Sequence, residues 1–239
     1  MIDSTFIIGS ALCPLKNPSQ NLYNCVGSIF TENERFEQTI QTIESIDKYC
    51  PNNIKYLFDC SPNYPPQNYF HLLEEKNVNV LYVGNNPKLI TNTLLGNKSA
   101  AESIGFYLFL DWYKKNHIKT KRIYKISGRY KLNSDFKEND DIFKDSFVFL
   151  SSSNSHLCKE NQIEMGVDKF YSTRLFHMDY NCLDLFYSKL PSIIDDCEKY
   201  IFMNSEHSYY KHLHEFKVVE VEKIGVEGFV SPTNVFVKE

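Results

Sequence analysis

Short apolar runs alternate with helix-patterned segments through the first 150 residues, and this alternation limits the possible folds more than any other feature of the chain. Residues 6–12 form a mostly apolar run between polar and proline-containing stretches, which reads as a buried strand. Thr31 and Glu34 make a T-x-x-E capping box, and Phe36, Ile40, Ile43 and Ile46 follow at helical spacing until Pro51 stops them. Residues 55–58 read as a second strand closing on Asp59, residues 69–75 as a short helix and residues 78–83 as a third strand. A loop then runs to Ser99, which with Glu102 repeats the capping-box pattern and opens a helix over 100–115. That helix is apolar nearly all round and is expected to be covered on both sides. Strands at 122–126 and 147–150 follow. Beyond residue 150 the pattern weakens, to helices near 183–190 and 205–214 and a last strand near 218–221.

Strands and helices in this order predict an α/β protein with a mostly parallel central sheet flanked by helices. One domain is expected over residues 1–239, with a regular half at about 1–150 and a less regular part at about 151–239 packed onto the sheet. Ligands of open α/β sheets sit beyond the carboxyl ends of the strands. That rule selects Gly9, Ser10, Asp59 to Ser61, Gly84 and Ser127 to Tyr130, and predicts that they lie near one another.

Composition narrows the partners. A net charge of −4 argues against nucleic acid, whose binding surfaces are basic. Seven cysteines without a C-x-x-C pair read as reduced thiols packed mainly as small hydrophobes. No stretch is long and apolar enough to cross a bilayer, and the opening residues lack a signal peptide's basic start, so the cytoplasm is the expected compartment.

The segment KISGRY, residues 125–130, carries the strongest chemical signal because it follows an apolar strand directly. Gly128 lets a ligand or another backbone approach closely and tolerates positive φ. Arg129 offers a planar, permanently charged fork suited to a diphosphate or a carboxylate. Lys125 adds a point charge on the side shared by Ser127 and Arg129 if strand alternation holds. Lys98 and Ser99 stand at a helix start, where free N–H groups favour phosphate and where an ordinary cap is the plainer alternative. Asp59 either accepts hydrogen bonds from a ribose or base, or caps the turn after its strand. Glu206, at the expected start of a helix, is a candidate general base for a hydroxyl. His207, Lys211 and His214 share one helical face, and with His177 and Asp179 they raise a weaker metal-site reading. No P-loop and no G-x-G-x-x-G fingerprint occurs.

Taken together, the opening strand, the capped helix with its strand ending in Asp59, the buried helix after Asn97-Lys98-Ser99 and the strand RIYKISGRY resemble a small GT-A type glycosyltransferase of bacterial or large-virus polysaccharide pathways. The resemblance spans roughly residues 4–215. It implies a nucleotide-sugar-binding first half and a second half that binds a glycan or lipid-linked acceptor. It also implies nucleotide-sugar contacts from Ser10, Asp59, Lys98, Ser99, Lys125, Ser127, Gly128 and Tyr130, with Glu206 and Arg129 as catalytic residues. Members of this type usually hold Mg2+ or Mn2+ with an Asp-x-Asp motif. This chain has no Asp-x-Asp; KISGRY stands where the motif belongs, and the acidic run at 138–141 reads as a solvated loop. Two outcomes follow: Arg129 and Lys125 neutralise the departing diphosphate without a metal, or other acids hold one. The competing readings are a nucleotidyltransferase, which requires clustered acids, and a non-enzymatic glycan- or partner-binding domain.

Overall fold

The computed structural model describes residues 2–15, 28–138, 143–200, 203–230 and 235–239. Cys25 and residues 139–141 of the acidic run lie outside the described residues. In chain order the elements are β1 (Ile2–Ser10), α1 (Glu32–Tyr49), β2 (Asn53–Asp59), α2 (Gln67–Glu75), β3 (Val78–Tyr82), α3 (Pro87–Leu94), α4 (Lys98–Lys115) and β4 (Thr120–Ser127). They continue with β5 (Tyr130–Leu132), β6 (Phe147–Leu150), β7 (Ser153–Asn154), α5 (Lys159–Met165), β8 (Lys169–Phe170) and β9 (Leu175–Asp179). The chain closes with α6 (Leu183–Lys199), α7 (Ser205–Leu213), β10 (Val218–Val221), β11 (Val226–Val230) and β12 (Val235–Lys238).

The central sheet has the order β10-β6-β9-β4-β1-β2-β3. It is parallel except for β9, which runs antiparallel to both β4 and β6. Alternation along the strands sends side chains into two cores. Ile7, Phe58, Ile123 and Phe176 meet the helices α4, α6 and α7 on one face. Phe6, Ile8, Leu57, Tyr124 and Ile126 meet α1 and α2 on the other. The α/β expectation therefore holds, with helices on both faces of a mostly parallel sheet.

The predicted Thr31–Glu34 capping box is present, with Glu34 accepting from the Thr31 amide at 2.7 Å. The second predicted box is not. Asn97 caps α4 through Ala100 N at 3.1 Å, while Glu102 turns away to the sheet, so Ser99 lies inside the first turn rather than at the cap. The expected loop before α4 contains α3, whose start is capped by Asn86 and set by Pro87. The expected end near Leu190 also fails: α6 runs through Pro191 to Lys199, because Ile193, Ile194 and Cys197 bury themselves beyond the proline. Glu138 is no solvated loop residue, since Ser4 Oγ and Cys50 Sγ both reach its Oε1 at 2.8 Å.

Besides the short β7-β8 pair, two strand sets went unpredicted. β9 is buried on both faces and pairs its His177 with Arg122 of β4, so it lacks an alternating pattern. A small sheet of order β12-β11-β5 continues from the turn after β4 and brings the C-terminal strands beside it.

Candidate active site

Strand β4 ends in a tight corner. Ser127 N donates to Arg174 O at 2.9 Å, Gly128 N donates to Gly9 O at 2.8 Å, and Arg129 N returns to Ser127 O at 2.8 Å. Thr39 of α1 adds its hydroxyl to Gly128 O at 3.0 Å. Gly128 does not have positive φ; a Cβ there would meet Thr39 Oγ1 at 3.2 Å and Gly9 O at 3.3 Å. Its smallness serves the approach of β1 and α1 to the corner, which aims Ser127 and Arg129 past the strand end.

Beyond that corner lies a cleft in two adjoining lobes, each of about 190 Å³. The first is enclosed by Gly9, Ser10, Cys60 and Gly96 from the strand and loop ends, with Arg35, Lys98, Glu102, Ser127 and Arg129 as its polar wall. The second is lined by Tyr130, Thr173, Arg174, Glu206 and Val230. Glu102, Ser127 and Arg129 belong to both. The carboxyl ends of β1, β2 and β4 therefore converge on one opening, where the topology of an open sheet places a ligand.

The expected site residues divide into two groups. Ser10, Lys98, Ser127 and Arg129 border the first lobe, and Arg129, Tyr130 and Glu206 border the second. Asp59, Lys125, Gly128 and Ser99 border neither. Asp59 is fully buried and accepts from Leu12 N at 2.8 Å and Ser61 N at 3.0 Å, which pins the loop after β1 to the turn after β2. Burial raises its pKa to about 6, against the lowering influence of those bonds and of Arg35. Lys125 does share the Ser127 side of the strand, but its ammonium is buried under α4, where it meets Glu102 and the Thr173 carbonyl. It is thus a counter-ion beneath the cleft floor rather than a group facing it. Gly84 packs on the Ser61 carbonyl, leaving no room for a side chain.

Two arginines of the cleft carried no clear signal in the sequence. Arg35 sits on the buried stripe of α1, one residue before Phe36, and a charged residue on an otherwise inward face was the available clue. Arg174 follows β8; it donates to Tyr130 Oη at 3.3 Å and pairs with Glu239. The Tyr130 ring has the Arg129 guanidinium 5.4 Å away and that of Arg174 5.7 Å away, a cation–π arrangement that fixes both heads.

Electrostatics distinguishes the two acids. Burial opposes charge on Glu102, but Lys125, Arg129 and Arg35 outweigh it and hold the carboxyl below its ordinary range. Burial raises Glu206, with Glu102 and Glu239 adding to the rise and Arg174 opposing it. Asn204 Nδ2 orients the Glu206 carboxylate at 3.1 Å. A carboxylate with a raised pKa at the rim of a cationic cleft is a suitable proton acceptor.

The described residues of the cleft do not fit a divalent cation. The acids nearest the first lobe are committed, Asp59 to backbone amides and Glu102 to Lys125. Among the described residues no three His, Cys, Asp or Glu side chains come together as ligands. The histidine reading fails on position as well. His207 is fully buried between Asn204 and Ser155, whereas His177 lies in the sheet beside Arg122 at 3.1 Å.

No protein-family model and no curated protein matches the sequence. Among solved structures, the chain is similar in course to a glycosyltransferase involved in glycosylation of the PBCV-1 major capsid, at 9% identity and TM-score 0.46, covering 92% of this chain and 81% of that one. It is similar to the inositol-1-phosphate CTP transferase of T. maritima at 10% identity and TM-score 0.45, covering 98% and 92%. Core-mannan synthase A of Aspergillus fumigatus, in a Mn/GDP form, gives 10% identity and TM-score 0.47 over 89% and 70%. Likenesses of this size assign no activity. Among the described residues, no helix is long and apolar enough to cross a membrane.

Proposed function

We propose that the chain is a GT-A type glycosyltransferase that moves a sugar from a nucleotide-diphosphate sugar to a hydroxyl of a glycan or lipid-linked acceptor. It works in the cytoplasm, in surface polysaccharide or glycan synthesis. Residues 1–150 form the donor half and residues 151–239 the acceptor half of one domain. The observation that carries this reading is Arg129, which borders both lobes and stands between the cationic wall of one and the Glu206 carboxylate of the other.

In this reading the nucleoside lies against the apolar side of the first lobe, formed by Ala11, Pro14, Leu15 and Pro62. The diphosphate meets Arg129 and Lys98, and the sugar projects toward the second lobe. Glu206 takes the proton of the acceptor hydroxyl as that oxygen bonds to the anomeric carbon. The bond from that carbon to the phosphate oxygen breaks, and the nucleoside diphosphate leaves with the electron pair. A single displacement with inversion accounts for one base and one leaving-group site. The guanidinium of Arg129 stabilises the charge that grows on the departing oxygen, as a metal ion would elsewhere.

Incubation of the protein with a panel of nucleotide sugars, with EDTA or with Mg2+, followed by measurement of free nucleoside diphosphate, tests the proposal. One donor is expected to be consumed in EDTA, and Glu206→Gln and Arg129→Ala are each expected to lose that consumption. Wild-type turnover in both variants removes the assigned roles, and transfer of the nucleotide instead of the sugar identifies a nucleotidyltransferase.

A further inference from the structure

Among the described residues, three cations, Arg35, Lys98 and Arg129, line the first lobe with one carboxylate, Glu102, which Lys125 holds. Arg35 is the unusual member, because it projects from the inward face of α1 and is only 7% exposed. Among the described residues the hydrogen-bond partner of its guanidinium is a neutral oxygen, Gln38 Oε1, 3.0 Å from Nη1. Charged groups stand within its field: Arg129 opposes its charge, while Asp59 and Glu102 favour it. Burial first, and then the Arg129 charge, push its pKa down to about 9. Arg129 has the matching deficiency, for its Nε is buried without a hydrogen-bond partner among the described residues.

A buried guanidinium with a neutral partner is expensive, and a second one within its field makes it more so. Both penalties fall when an anion enters between the two heads, since each fork then gains charge-assisted bonds and the mutual repulsion is neutralised. A single phosphate must divide its oxygens and its charge between the two forks. Two linked phosphates satisfy both.

We propose that Arg35 and Arg129 form a two-guanidinium site that takes the two phosphoryl groups of a diphosphate, one to each fork, without a divalent cation. The diphosphate as ligand rests on the functional reading above, whereas the pairing of the two arginines rests on the packing of α1 against the β4 corner. Arg35 is thereby assigned as a second phosphate-binding residue, and the site selects diphosphates over monophosphates.

Titration calorimetry of the full chain in EDTA, with inorganic pyrophosphate and inorganic phosphate as probes, tests this directly. Pyrophosphate is expected to bind at least about tenfold more tightly than phosphate, and Arg35→Gln to reduce that preference to about twofold or less. Arg35→Lys keeps the charge without the fork and is expected to fall between them. Circular dichroism and Tm identify a variant that does not fold, in which case the Lys variant decides. Equal binding of the two anions by the wild type, an undiminished preference in a folded Arg35 variant, or pyrophosphate binding only with added Mg2+ overturns the inference. Donor consumption that persists alongside any of those results leaves the transferase reading standing. A pyrophosphate preference without consumption of any donor has the opposite meaning, and keeps the site while removing the transferase.

Discussion

Arg129, from the corner after β4, and Glu206, from the first turn of α7, line the same lobe of one cleft. The elements that carry them meet because β9 inserts between β4 and β6, and because Tyr171 N donates to the Glu206 carbonyl at 3.2 Å. The cation proposed for a departing phosphate and the base proposed for an incoming hydroxyl thereby share one opening.

Removal of the Arg129 fork should be felt in the transition state. Arg129→Ala is expected to lower kcat/KM for the donor by about 10²- to 10³-fold, the range for losing one preorganised charge stabiliser. Arg129→Lys should recover only part of it, because a point charge cannot reproduce the planar fork. Steady-state kinetics on the folded variants checks both.

Glu206 predicts a pH profile. In the proposed mechanism activity requires its ionised form, so the acid limb of kcat/KM should lie above the ordinary glutamate range, in the direction of its raised pKa. Glu206→Gln should abolish that limb along with most of the turnover. A profile unchanged in shape, with only its height reduced, contradicts the assignment.

The Lys125–Glu102 pair predicts an asymmetry of stability. Lys125 has a side chain 2% exposed, whereas that of Glu102 is 41% exposed toward the cleft. Glu102→Gln leaves a buried ammonium without its counter-charge and is expected to cost about 3 kcal/mol. Lys125→Met leaves a carboxylate that water in the cleft can reach, and about 1 kcal/mol is expected after allowance for that screening. The folded-state pKa of Glu102 is lowered, so its contribution is full above the ordinary glutamate value and is lost as pH falls through the folded one. The gap between wild type and Lys125→Met should therefore shrink under acid, as urea unfolding at several pH values can measure.

Asp59 has the opposite sign. Its pKa rises from 3.8 to about 6 on folding, so the native state binds the extra proton between those values. Stability attributable to Asp59 then falls as pH rises through that window and is level above it. Asp59→Asn should remove this slope. It should also cost about 1–3 kcal/mol at neutral pH, because an NH2 group must face either the Leu12 or the Ser61 amide. An isostable Asn variant contradicts the structural role.

The β4 corner can be tested by size alone. Gly128→Ala brings a methyl to 3.2 Å from Thr39 Oγ1 and 3.3 Å from Gly9 O. A loss of about 1–2 kcal/mol and a weaker affinity for pyrophosphate are expected, since the corner must move and Arg129 moves with it.

Much of the frame was legible because local signals and packing agreed. The Thr31 box, the stripe of Phe36, Ile43 and Ile46, and the apolar runs of β1, β2 and β4 all pointed to what formed. The failures arose where a distant partner decided the outcome. Glu102 has the spacing of a capping residue, but a buried lysine on β4 is a stronger claimant, and Asn97 takes the cap. The same pairing explains why Lys125, although on the expected side, does not face the cleft. The helix expected near 183–190 continues through Pro191 because the apolar residues beyond it pack with α4. Arg35 and Arg174 escaped notice because their significance comes from where α1 and the segment before β9 pack, which the sequence signals only through a charge on the inward stripe of α1.

The central claim is that this cleft holds a nucleotide-diphosphate sugar through cationic side chains. Thermal unfolding of the wild-type chain with a panel of nucleotide sugars, each at saturating concentration with EDTA and then with Mg2+ or Mn2+, tests it most directly. A ligand that binds only the folded state must raise Tm. At least one donor is predicted to raise Tm in EDTA, with little further gain from the metals and with the effect lost in Arg129→Ala. No shift with any donor under any condition, or a shift that appears only with metal and survives Arg129→Ala, contradicts the account.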